Sequence, residues 1–273
     1  MLGNQNNLRA REIVKVLLSA FENKEAVFSD TKELLENQIP PNVSYNSKNH
    51  ANFLFYLISQ DHGIKSSRLY DRAKRLYEAF PEKFDPQSIV EEHKSPDNSE
   101  LLNFIKQLGV RYSNNSTKYW YKNSEILFNY YDGDTRNIFN GVDGPEAFKR
   151  ITSFYGFGPK ISGLLVRVFV GIGIANLDKI EEIDFPTDIH DTRIAALTKI
   201  ADIPEEITEN NYSPFVKIAQ NTWKEACKDK QINWLQVDRA LWILGSKGCI
   251  SNRHHDCPIK KYCVKGIKSC EPF

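Results

Sequence analysis

The sequence has no strong excess of either charge: 36 Lys and Arg stand against 35 Asp and Glu, a formal net of +1. A uniformly basic surface that binds any polyanion is therefore excluded. Any nucleic-acid contact must gather its positive charge on one face. Long apolar runs are missing too. The most hydrophobic stretch, Ile161 to Leu177, is short for a membrane span and carries Arg167, so it reads as a buried helix followed by a loop. The first residues, MLGNQNNLRAREIVKV, contain no apolar signal-peptide core. That predicts a cytoplasmic, reducing compartment and no membrane partner. Strand-like alternation is scarce, and there is no repeat at a solenoid period and no long low-complexity tract. Cysteine is limited to five residues, which in a reducing compartment argue for metal chemistry over disulfides.

What is present is helical periodicity. Val14, Leu17, Leu18 and Phe21 share one helix face, and Phe53, Leu54, Leu57 and Ile58 share another. Further amphipathic stretches run over 68–80, 101–108, 118–131, 146–154, 159–170, 191–200, 214–226 and 234–244. Loops rich in Asn, Ser and Pro are predicted at 36–48, 94–99 and 112–117. The fold class is all-α. At 273 residues with 41% apolar content, the chain suits one large domain or two small ones.

Between two of these helices stands Phe154-Tyr-Gly-Phe-Gly-Pro-Lys160. Gly156 and Gly158 allow positive φ and a tight turn, and Pro159 suits the first turn of the next helix. Such a turn presents backbone N–H groups beside a positive helix end, a geometry that binds phosphate. The segment from Phe154 to Val170 resembles the helix-hairpin-helix of the endonuclease III and 8-oxoguanine DNA glycosylase superfamily. Lys160 occupies the place of that superfamily's catalytic amine. The resemblance implies a two-lobed helical fold that binds double-stranded DNA.

Downstream, Asp188-Ile-His-Asp-Thr-Arg193 resembles the family's segment carrying an essential Asp, with Asp188 and His190 in matching places. Asp188 is also a plausible helix N-cap. Asp191 and Asp184 are competing candidates for the acid. Breaking an N-glycosidic bond develops positive charge on the sugar, which a nearby carboxylate stabilises. A neutral Lys attacks C1′ and leaves a Schiff base. Partial burial and the helix end are expected to hold the Lys160 amine neutral enough to react.

Glycosylases must extrude the target base to reach C1′. Phe53 to Asp61 resembles the family's flipping region, which places Gln60 in the gap left by the base. The cluster Tyr119-Trp120-Tyr121 is expected to serve core packing rather than base stacking.

Cys249, Cys257, Cys263 and Cys270 crowd the C-terminal end, with seven, five and six residues between them. No Cys-x2-Cys pair occurs, which disfavours a zinc ribbon. Cys227 is expected to be a buried core thiol. The tail resembles the family's [4Fe–4S] ending. Of the family's spacings only the five-residue one is kept, and His254 falls where the second Cys is usual. Cys270 as fourth ligand is the favoured assignment, with His254 the alternative. Lys260 and Lys261 lie in a locally basic segment, six basic against two acidic residues from Gly245 to Phe273, and are expected to meet phosphates.

The resemblance implies one lobe over 30–150 and another from 1–29 with 151–273. It implies a monomeric, nucleoid-associated DNA glycosylase and β-lyase. Oxidised pyrimidine is the first expected lesion and 8-oxoguanine the next. The rivals are a monofunctional glycosylase and a non-catalytic DNA-binding module.

Overall fold

The computed structural model describes residues 2–61, 63–228, 232–251 and 253–265. Every regular element is helical and no strand occurs among these residues, as the periodicity predicts. No helix among them is long and apolar enough to cross a membrane.

The chain divides into two compact units. One is Leu35–Ile183, here the central unit; the other joins Met1–Leu34 to Asp184–Phe273, here the terminal unit. The sequence-derived boundary at 150 thus differs from the one at 183. The reason is aromatic packing. Phe154 and Phe157 of the hairpin lie 5.1 and 4.8 Å from the Phe55 ring, so the hairpin and the helix after it share the central unit's core.

The terminal unit opens with α1 (Leu2–Glu22), which buries Ala10, Ile13, Val14 and Leu17. In the central unit, α2 (Lys48–Ser59) is buried from His50 onward. Ser47 caps it, accepting the His50 N–H at 3.2 Å. α3 (Ser66–Ala79), α4 (Pro86–His93), α5 (Ser99–Leu108) and α6 (Ser113–Tyr131) follow. Asp85 and Asn98 cap α4 and α5. The sequence reading has no helix at α4, because eight residues with few apolar positions leave hardly any periodic signal. It also expects a loop at 112–117, where α6 instead starts. Ser116 and Thr117 are buried, and packing of α6 on α4 and α5 outweighs the weak propensity of the Ser–Asn run.

α7 (Gly144–Thr152) and α8 (Pro159–Gly171) form the predicted pair. Arg167 in the apolar stretch of α8 is buried against the Glu36 carboxylate at 3.0 Å. This explains a cation inside a run that otherwise reads as core. In the terminal unit, α9 (Ile189–Leu197), α10 (Val216–Ala226) and α11 (Trp234–Ile243) pack together, with α1 against α10 and α11. The end of α11 widens into a π-turn, Leu244–Cys249.

Candidate active site and thiol cavity

The hairpin is built from both of its glycines, but for different reasons. Gly156 has φ +82, so the backbone favours glycine there, and a Cβ would also crowd Tyr119 Cδ2 at 3.1 Å. Gly158 does not take the positive φ expected of it. Its φ is −75 and its ψ 175, because Pro159 confines the preceding residue to extended conformations. A Cβ at Gly158 would meet nothing within 4 Å. Gly158 is the N-cap of α8 and provides no side-chain cap. The start of α8 therefore combines a positive helix end with an open approach, the geometry that anions use.

Lys160 lies in the first turn of α8 and is exposed. The partial burial expected from the sequence is thus missing, while the place at the start of the helix is as the sequence predicts. Five residues earlier, in the hairpin, Tyr155 is 43% exposed. Its ring stacks with Tyr119 at 5.9 Å, and Lys122 Nζ sits 4.8 Å above it. Trp120 and Tyr121 are buried as expected. Trp120 stacks on Tyr56 at 4.4 Å and donates Nε1–H to Lys83 O at 2.9 Å.

A residue that the sequence reading misses holds the hairpin in place. Asn123 of α6 is 1% exposed. Its Nδ2 donates to Tyr155 O at 2.9 Å, and its Oδ1 accepts the Tyr155 N–H at 2.8 Å. Nothing in the local pattern Tyr-Lys-Asn-Ser announces a contact 32 residues away.

Gln60 is the C-cap of α2 and is 2% exposed. Its amide donates to Ser59 Oγ at 2.9 Å, and its Oε1 is buried without a hydrogen-bond partner. The side chain is folded into the protein rather than projecting, as the flipping role expects. Asp61 next to it is engaged by Ser66 Oγ and Tyr70 Oη, both at 2.8 Å.

In the terminal unit, Asp188 is the N-cap of α9, as predicted. Its Oδ1 accepts the His190 N–H at 2.7 Å, and Asp191 Oδ2 accepts the Asp188 N–H at 2.8 Å. The pair forms a capping box. Asp188 is half-buried, whereas Asp191 is 3% exposed. Burial, then the Asp188 and Asp238 carboxyls, hold the Asp191 carboxyl well above the usual carboxylate range. Asp184, the third candidate, is held by Lys217 and Lys224, each at 3.2 Å. Gly245 is needed here for contact, since a Cβ on it would collide with His190.

Cys249, Cys257, Cys263 and His254 line one cavity in the terminal unit, with Ile194, Leu244 and Ile259 among its apolar walls. Burial pushes the Cys249 thiol up to about 12, with Cys257 and Cys263 adding to the rise. Burial likewise pushes Cys257 up to about 11. The thiols thus sense one another. Among the described residues no three His, Cys, Asp or Glu side chains close round a single metal ion. Cys270 lies outside the described residues. Cys227 is only partly buried and does not line this cavity. Lys260 and Lys261 are exposed on a short 3-10 turn. Lys260 Nζ donates to His255 O at 3.2 Å, and Lys261 Nζ lies 4.7 Å from the Tyr262 ring centre.

No family model matches the sequence, and no curated protein matches it. Solved structures do match. A trapped endonuclease III–DNA covalent intermediate, an estranged-adenine complex, aligns with a TM-score of 0.57, covering 96% of this chain and 99% of that one at 12% identity. Identity that low speaks for architecture alone: the chain has the all-helical fold of endonuclease III.

Proposed function

We propose that this chain is a DNA glycosylase with AP-lyase activity, excising a damaged or modified base extruded from double-stranded DNA. The observation that carries the reading is the place of Lys160. It is an exposed amine in the first helical turn after a glycine hairpin with an uncapped helix start, on an endonuclease III fold. The backbone at Gly158 offers the strand phosphate a seat, and the amine of Lys160, two residues on, attacks C1′ of the extruded nucleotide. As the Nζ–C1′ bond forms, the N-glycosidic bond breaks and its electron pair leaves with the base, which takes up a proton. The sugar opens to a Schiff base. Loss of the C2′ proton then expels the 3′ phosphate by β-elimination.

Asp188 is assigned the carboxylate that stabilises charge on the sugar. It is half-buried, whereas the burial of Asp191 disfavours the anion that this role needs. Filling the vacated stack requires Gln60 to leave its buried rotamer; its Oε1 gives up no partner in doing so. Lys260 and Lys261 supply exposed charge for phosphates.

The donor chemistry of the thiol cavity fits a [4Fe–4S] cluster. Cys249, Cys257 and Cys263 would be its ligands, and the cluster would brace the basic loop. Oxidised pyrimidine is the first substrate to test and 8-oxoguanine the next.

Borohydride trapping on lesion-containing duplexes tests the assignment. The expected result is a covalent protein–DNA adduct that disappears in Lys160→Gln. The exposure of Lys160 favours one second reading, in which the amine only contacts phosphate and water is the nucleophile. Base release without any adduct would establish it. DNA binding with neither product would refute both.

A further inference from the structure

The thiol cavity lends itself to a finer assignment, which rests on the cluster reading above. His254 lines the cavity together with Cys249, Cys257 and Cys263. The Cys257 N–H donates to His254 O at 3.3 Å. That bond closes a turn, which holds the ends of the His254–Cys257 segment close together. Both residues are thereby delivered to one ligand from one turn. The rest of the loop is anchored: Ile259 is 2% exposed, Cys263 8%, and Arg9 Nη2 of α1 donates to Tyr262 O at 2.8 Å.

We propose that His254 is the fourth protein ligand of the cluster, completing a three-cysteine, one-histidine set, and that Cys270 is not required. A single tetrahedral ion would need four donors within about 2.3 Å of one point. Among the described residues no three donors meet in that way. Four donors spread around one cavity suit a larger inorganic core. Neutral imidazole replacing thiolate is established cluster chemistry and makes the assembly less negative, which raises its reduction potential. The cations near the cavity include Arg193, Arg253, Lys260 and Lys265. They are placed to balance the anionic core that remains.

The test uses the full chain purified without oxygen, with iron, sulfide and zinc measured alongside visible absorption. Cys270→Ser is expected to keep the wild-type iron and sulfide content. His254→Ala is expected to lose at least half of both. His254→Cys, which restores a thiolate and guards against simple misfolding, is expected to keep the iron at a lower reduction potential. Pulsed EPR of the paramagnetic cluster is expected to show a nitrogen coupling in the wild type that vanishes in His254→Cys. Loss of iron in Cys270→Ser with retention in His254→Ala would overturn the assignment. So would a wild-type cluster with no nitrogen coupling. A wild-type chain holding zinc, or no metal at all, would refute the cluster reading itself.

Discussion

Replacing Asn123 with Ala should loosen the hairpin without touching any residue assigned to chemistry. The substitution removes two hydrogen bonds, to Tyr155 O at 2.9 Å and from Tyr155 N at 2.8 Å. Each is worth about 1 kcal/mol net, and a buried peptide group left without a partner costs about 1–3 kcal/mol more. Both hydrogen bonds are only partly buried, so the upper figure does not apply. A small void is also left where a 1% exposed side chain stood. The expected loss is about 3 kcal/mol, a fall in Tm of about 6–12 °C at roughly 2–4 °C per kcal/mol for a body of this size. Thermal unfolding measures the total, and amide hydrogen exchange at residues 155–158 locates it. On the proposed function, affinity for duplex DNA falls as well, because the phosphate seat is no longer rigid. A loss below about 1 kcal/mol, with unchanged exchange at the hairpin, would refute the argument that α6 holds this turn.

Capping the open helix start should separate stability from binding. Gly158→Asp places an acceptor at an N-cap that now has none, where there is space for it. It is expected to stabilise the chain by about 0.5–1 kcal/mol while weakening DNA binding at least about tenfold, read by thermal melts and fluorescence anisotropy. Arg167→Met strands the buried Glu36 carboxylate, paired at 3.0 Å, and should cost about 3–5 kcal/mol in a urea titration. Glu36→Gln added to it should recover part of that loss. Stability should also fall with acid. His50 and His93 are buried, burial holds both below their usual value of 6.5, and Lys83 lowers His93 further. The unfolded chain then binds more protons than the folded one. Their contribution is complete above about pH 6.5 and is lost as pH falls through the lowered values. Urea midpoints should be lower at about pH 5 than at about pH 7.5, and His93→Gln should reduce the difference.

The helical class, most helix positions, the hairpin, the Asp188 cap and the thiol-rich tail were all legible in the sequence. Their signals are local: apolar residues repeat every turn, a cap stands next to the helix it starts, and glycine before proline marks an entry. The extended backbone of Gly158 also has a local cause, since Pro159 pushes the residue before it out of the helical region. Tertiary structure alone decided which residues meet. Asn123 reaches the hairpin across 32 positions, and Phe55 draws Phe154 and Phe157 into the central unit and moves its boundary to 183. Packing buries Gln60 and Asp191 while leaving Lys160 exposed. It also sets His254 beside three thiols. Spacing had offered His254 as an alternative ligand, but it supplies none of the other outcomes. Burial and partnership depend on which distant surfaces close together, and that is settled only when the whole core packs at once.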